Sequence, residues 1–134
     1  MVATESAQDR AMVFDSSVLI LFLNDALPAE TIELLNVHLQ AGLAHISAIV
    51  RAEVLAWPEH TSSSLDAARA LLDACQLVSV NAAVADEAAR IRRETGLKLP
   101  DALIAATALL QTATLVTANG RDFRRVPGLA LIET

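Results

Sequence analysis

Apolar positions recur along this chain in two rhythms that alternate from end to end. Short runs of aliphatic and β-branched residues at Met12–Asp15, Leu43–Ile46, Leu77–Val80, Ala113–Thr117 and Leu129–Ile132 predict strands. Between them, apolar residues spaced three and four apart predict helices over Val18–Leu23, Pro28–Leu39, Ala48–Trp57, Leu65–Cys75 and Ala82–Thr95. A further helix runs from Pro100 to Leu110 and is apolar on nearly every face, the mark of a helix packed inside a domain. The punctuation agrees with these elements. Ser16-Ser17 and Ser47 suit N-caps, and Gly42 and Gly96 suit helix ends. Pro58 closes the third helix, Glu59–Ser64 forms a polar linker, and Asn119-Gly120 and Pro127-Gly128 mark turns. Strands that alternate with helices throughout predict the α/β class with a mainly parallel sheet. No internal repeat or low-complexity tract interrupts the order.

Length and composition narrow the picture. A chain of 134 residues fits one domain over 12–134, and residues 1–11 read as a poorly ordered leader rather than a secretory or transit peptide. The hydrophobic fraction is 54%, yet the longest apolar run, Val18–Leu23, falls far short of the roughly 20 residues of a membrane span. Cys75 is the only cysteine, which excludes an internal disulfide and any multi-cysteine metal site and predicts a reducing, cytoplasmic setting. A net charge of -6 argues against nucleic-acid binding through bulk positive potential. Nine of the ten basic residues are nevertheless Arg, and most of the ten fall in two clusters, Arg90, Arg92, Arg93 and Lys98, then Arg121, Arg124 and Arg125. The second cluster is either a phosphate-contacting rim or a solvated surface. His38, His45 and His60 have neither metal-ligand spacing nor a neighbouring nucleophile and read as structural or surface residues.

Four acids stand out by position. Asp15 follows the first strand, at the edge where open α/β sheets bind ligands. Glu53 interrupts the apolar stripe of Ile46, Ile49, Val50, Val54 and Trp57, where an unpaired carboxylate is costly. Asp101 sits beside Pro100 at the positive end of a helix dipole, and Asp122 follows the strand that ends at Thr117. Taken singly, each has a plain reading: a cap, an ion-pair partner, a dipole complement, a turn residue. Brought together by the sheet, they would repel one another until protons or a cation intervened, and oxygen-only ligands select a hard ion such as Mg²⁺ or Mn²⁺.

The ordered segments MVFDSSVLI, ISAIVRAEVL, LPDALIAATAL and VTANGRDF, followed by GLALIE, resemble the motifs of PIN-domain ribonucleases, most closely the VapC-type toxins of toxin–antitoxin pairs. The resemblance runs from Val13 to Ile132. It implies a parallel, about five-stranded sheet flanked by helices on both faces. It further implies that Asp15, Glu53, Asp101 and Asp122 form an acidic, metal-binding catalytic quartet for Mg²⁺ or Mn²⁺. Thr117 and Asn119 would be polar supports, with Ser16 and Ser17 hydrogen-bonding beside Asp15. The implied activity is metal-assisted hydrolysis of RNA phosphodiesters, with Arg121, Arg124 and Arg125 placed to contact RNA. Implied partners are an antitoxin protein, whose carboxy-terminal segment covers the acids, and a second copy of the chain. The apolar helices Val18–Leu23 and Ile32–Leu39 are compatible with that interface.

Two other readings remain open at this level. A phosphate-transfer domain of the haloacid-dehalogenase or receiver kind also places Asp after strand one. The first kind calls for a second Asp where this chain has Ser17, and both call for a late Lys where the only one is Lys98. The other reading is a non-catalytic module that keeps a metal site for partner binding.

Overall fold

Five strands build one parallel sheet in this computed structural model, which describes residues 10–134. They are β1 (Met12–Phe14), β2 (Ala44–Ser47), β3 (Gln76–Val78), β4 (Thr114–Thr117) and β5 (Leu131–Glu133). Their order across the sheet is β3-β2-β1-β4-β5, every neighbouring pair parallel. Met12, Val13 and Phe14 are all buried although successive strand residues point to opposite faces, so helices cover both faces of the central strand. The expected leader lies outside the described residues except for its last two positions.

Seven helices connect the strands: α1 (Ser16–Leu23), α2 (Ala29–Ala41), α3 (Ala48–Leu55), α4 (Ser62–Ala74), α5 (Ala82–Thr95), α6 (Leu99–Leu110) and α7 (Gly120–Phe123). Their ends follow from local chemistry. The Ser47 hydroxyl accepts the Ile49 N–H at the start of α3, and the Asn81 side chain accepts the Val84 N–H at the start of α5. Gly96 closes α5 at φ 75°, a left-handed conformation that side-chain-bearing residues resist. Helix α6 buries Ala102, Ile104, Ala105, Ala106, Thr107 and Ala108, as its all-round apolar sequence predicts.

The structure corrects several expected boundaries. Helix α4 starts at Ser62, inside the stretch expected to be a linker, because Thr61 and Ser64 form a reciprocal capping box. Helix α3 ends at Leu55 rather than Trp57. The segment after Asn119 is the short helix α7, not a loop. The expected cap at Ser16-Ser17 is also displaced: both serines are helical, and Asp15 itself caps α1 by accepting the Ser16 N–H.

Strand order decides where a ligand can sit. From β1 the chain lays β2 and β3 to one side, then returns to place β4 and β5 on the other. The carboxyl ends of β1 and β4 therefore flank a topological switch point, the crevice where open α/β sheets bind ligands. This order also differs from the 2-1-3-4-5 arrangement of receiver-type domains.

Candidate functional site

Asp15, the first residue after β1, lies at that crevice and is 4% exposed. Its carboxylate accepts from three neutral donors and keeps acceptor capacity on Oδ1. Oδ1 accepts the Ser16 N–H at 2.8 Å; Oδ2 accepts the Ser17 hydroxyl at 2.9 Å and the Thr117 hydroxyl at 2.7 Å. Each donor is itself held. The Ser17 oxygen accepts the Ala118 N–H at 3.1 Å, and the Thr117 oxygen accepts the Asn119 N–H at 2.9 Å. The ends of β1 and β4 are thus knitted into one rigid hydrogen-bonded unit around a single buried carboxylate.

Glu53 reaches the same place from α3. Val50 and Val54 form the fully buried edge of that helix, which packs beside α1. Glu53 lies next to that edge, half-buried rather than facing the core, and its Oε1 accepts the Ser16 hydroxyl at 3.1 Å. Asp101 sits half-buried in the first turn of α6, and Asp122 lies on α7 with its side chain 50% exposed.

The electrostatics link all four acids. Burial pushes the Glu53 carboxyl above its ordinary value; the Ser16 hydroxyl draws it back, and the charges of Asp15 and Asp101 push it up again. Burial raises Asp101 likewise, followed by the charges of Asp15 and Asp122, with Lys98 opposing. Among the described residues, the ion pairs join Arg51 to Asp73, Arg90 to Glu87 and Glu94, Arg124 to Glu133, and Arg125 to Asp122. None reaches Asp15, Glu53 or Asp101. The salt-bridge explanation open to Glu53 from sequence therefore does not apply.

The basic residues near Asp122 are placed differently from one another. Arg124 pairs with Glu133 on β5, and Arg125 donates to the Thr95 carbonyl at 3.0 Å. Arg121, exposed on α7, makes no ion pair among the described residues. Asn119 contributes its backbone N–H to Thr117, with no side-chain cap for α7. Lys98, the last member of the first basic cluster, is the cation felt at Asp101. His38 is fully buried with Nδ1 on the Leu34 carbonyl, and His60 bridges the Val54 carbonyl and the Ser64 hydroxyl. These two histidines are structural, as expected.

Residues 12–129, nearly the whole described chain, match the PIN domain family. The chain belongs to the PIN domain family. Solved structures agree with this PIN fold. A chain of a toxin–antitoxin complex from Klebsiella pneumoniae is 28% identical, with a TM-score of 0.74 over 92% of this chain and 100% of that one. A chain of the DNA-bound VapBC complex of Salmonella typhimurium is 20% identical, with a TM-score of 0.80 over 92% and 98%. The VapBC2 complex of Rickettsia felis bound to a promoter DNA fragment gives 22% identity and a TM-score of 0.76 over the same shares. No curated protein matches the sequence. The phosphate-transfer reading gives way to this PIN assignment. Among the described residues, no helix is long and apolar enough to cross a membrane.

The raised carboxyls predict an unusual pH dependence. In chelator, the folded protein binds protons at Glu53 and Asp101 at a pH where the unfolded chain has released them. Their contribution to stability is therefore present below the ordinary carboxylate range and is lost as pH rises through the raised folded values. Glu133, whose carboxyl Arg124 holds below its ordinary value, acts in the opposite sense. Urea unfolding from pH 7 down through the ordinary carboxylate range should show the double variant Glu53→Gln/Asp101→Asn losing a stability gain on acidification that the wild type shows. Identical pH profiles for the two proteins would contradict the raised values.

Proposed function

We propose that this PIN domain is a divalent-cation-dependent endoribonuclease and the toxin of a toxin–antitoxin pair, with Asp15, Glu53, Asp101 and Asp122 as its cation-holding centre. The observation that carries the reading is a group of carboxylates at the sheet's switch point, two of them pushed above their ordinary values by burial and mutual repulsion. A crevice in which Asp15, Glu53 and Asp101 make no ion pair among the described residues is poised for a cation. The donors are all oxygen, which fits Mg²⁺ or Mn²⁺ rather than a softer metal. Among the described residues no three His, Cys, Asp or Glu side chains close around one point, so the fit rests on donor chemistry and charge.

The chain's own residues divide the work. Asp15 is the fixed ligand, its orientation set by Ser16, Ser17 and Thr117. Glu53 is aimed by the Ser16 hydroxyl, and Asp101 approaches from the first turn of α6. A Mg²⁺ or Mn²⁺ ion bound there supplies activation of water and neutralises charge on the phosphate. Without it, the same acids repel an RNA backbone. Arg121, exposed beside Asp122 and without an ion pair among the described residues, is the basic residue best placed to meet a phosphate. The toxin role is supported by the similar chains, one from a toxin–antitoxin complex of Klebsiella pneumoniae and one from the DNA-bound VapBC complex of Salmonella typhimurium. A cognate antitoxin protein covering the acidic crevice, a homodimer and a cytoplasmic setting belong to the same proposal.

The test uses the purified chain and a panel of structured RNAs. Cleavage with Mn²⁺ or Mg²⁺ that stops in chelator, and growth arrest on expression that a co-expressed cognate antitoxin relieves, are the expected results. Mn²⁺ binding with no turnover of any RNA would instead establish a non-catalytic metal-binding module.

A further inference from the structure

We propose that Arg125 is a positioning residue for the carboxylate centre, a tether that ties the helix carrying Asp122 to the turn leading into Asp101. The proposal rests on the cation-centre reading for its functional consequence, though the tether itself stands on geometry alone.

Helix α7 is only four residues long, too short to hold itself in place, so the position of Asp122 depends on what grips the helix from outside. Phe123 anchors it in the core at 1% exposure. On one side the Arg124 guanidinium pairs with Glu133 of β5, and the Glu133 side chain lies so close over Gly120 that a Cβ there would run into it. On the other side the guanidinium of Arg125, just past the end of α7, spans from that helix to α5. Its Nη1 donates to the Thr95 carbonyl at 3.0 Å, its Nε to the Asp122 carbonyl at 3.5 Å, and its Nη2 stands 3.6 Å from Asp122 Oδ1.

The far end of the tether is stiff. Thr95 is the last residue of α5; its hydroxyl donates to the Ile91 carbonyl at 2.7 Å and accepts the Leu97 N–H at 3.1 Å. The Arg92 Nη1 donates to the Leu97 carbonyl at 2.6 Å, and the Leu97 side chain is 1% exposed. From there the chain passes through Lys98 into α6, with Asp101 in its first turn. Only a planar fork bonds the carbonyls of Thr95 and Asp122 while facing the Asp122 carboxylate; an ammonium has no such geometry. At 3.6 Å the carboxylate contact is longer than a charge-assisted hydrogen bond, so Arg125 orients Asp122 and leaves its oxygens available.

This role separates cleanly from direct RNA contact. Arg125→Ala and Arg125→Lys in the full chain are to be compared by Mn²⁺ calorimetry, by RNA affinity in chelator across a salt series, by steady-state cleavage, and by amide exchange without metal. The tether predicts about tenfold weaker Mn²⁺ binding and about a 10–100-fold lower kcat in Arg125→Ala, with KM and salt slope unchanged and no rescue by lysine. Amides of Arg124, Arg125 and Val126 should exchange about tenfold faster, while those of β1 and β4 keep wild-type rates. A raised KM, a salt slope reduced by about one and rescue by lysine would overturn the tether in favour of a phosphate contact. Unchanged amide exchange would overturn it whatever the metal does. A wild-type chain that binds no Mn²⁺ refutes the cation centre, and faster exchange in the variant would then still support the tether.

Discussion

Asp101→Asn should lower cation-dependent RNA cleavage by about 10²–10³-fold and at the same time make the chelated protein melt at a higher temperature than the wild type. Both effects come from one cause. The Asp101 carboxyl is raised by burial and by the charges of Asp15 and Asp122, so at neutral pH its ionised form works against the fold. Removing that charge relieves the repulsion and removes a ligand. An active-site group of this kind trades stability for function. The same reasoning applies in reverse to the wild type. At a Mn²⁺ concentration a hundredfold above Kd it should gain about 2.7 kcal/mol of stability, roughly 5–10 °C for a chain of this size, a gain that Asp101→Asn should lose in large part. Thermal melts with and without Mn²⁺ check the pair of effects together. A variant that melts lower than wild type in chelator would show that Asp101 contributes structurally, not electrostatically.

Asp15→Ala should behave oppositely and lose stability as well as activity. Asp15 caps α1 and accepts the hydroxyls of Ser17 and Thr117, with Thr117 fully buried. Losing the cap costs about 1 kcal/mol, and leaving the two hydroxyls to find new acceptors adds about 1–3 kcal/mol, for a total near 2–4 kcal/mol by urea unfolding. Asp15→Asn keeps the shape and one acceptor oxygen. It should fold with a smaller loss while cleaving RNA no better than the alanine variant. Under the proposed cation centre Asp15 would carry both structure and chemistry, whereas Asp101 would carry chemistry against structure. An Asp15→Ala protein as stable as wild type would mean that the knot between β1 and β4 is dispensable.

The contrast also explains what the sequence revealed and what it hid. Strand and helix types were legible because the apolar rhythm changes sharply at Ser16, Ser47 and Gly96, and the buried helix after Pro100 announced itself by composition. The start of α4 was hidden because its capping box uses Thr61 and Ser64 within a run of serines, where Glu or Gln would mark it more plainly. Helix α7 was hidden because Asn119-Gly120 is also a turn signal, and four residues carry no periodicity. Glu53 was legible as misplaced in an apolar stripe, but its direction was not. Its partner, the Ser16 hydroxyl, is 37 residues away in sequence and becomes a neighbour only when α3 packs beside α1. Arg125 was legible only as one of a basic cluster, since its bond to Thr95 spans 30 residues.

We propose that Asp15, Glu53, Asp101 and Asp122 together hold a divalent cation. Calorimetric titration of Mn²⁺ into the chelator-stripped chain at neutral pH tests it without relying on any substrate. Saturable binding is expected in the wild type, weakened at least tenfold in Asp101→Asn and in Glu53→Gln. Binding that is absent from the wild type, or unchanged in both variants, would contradict it.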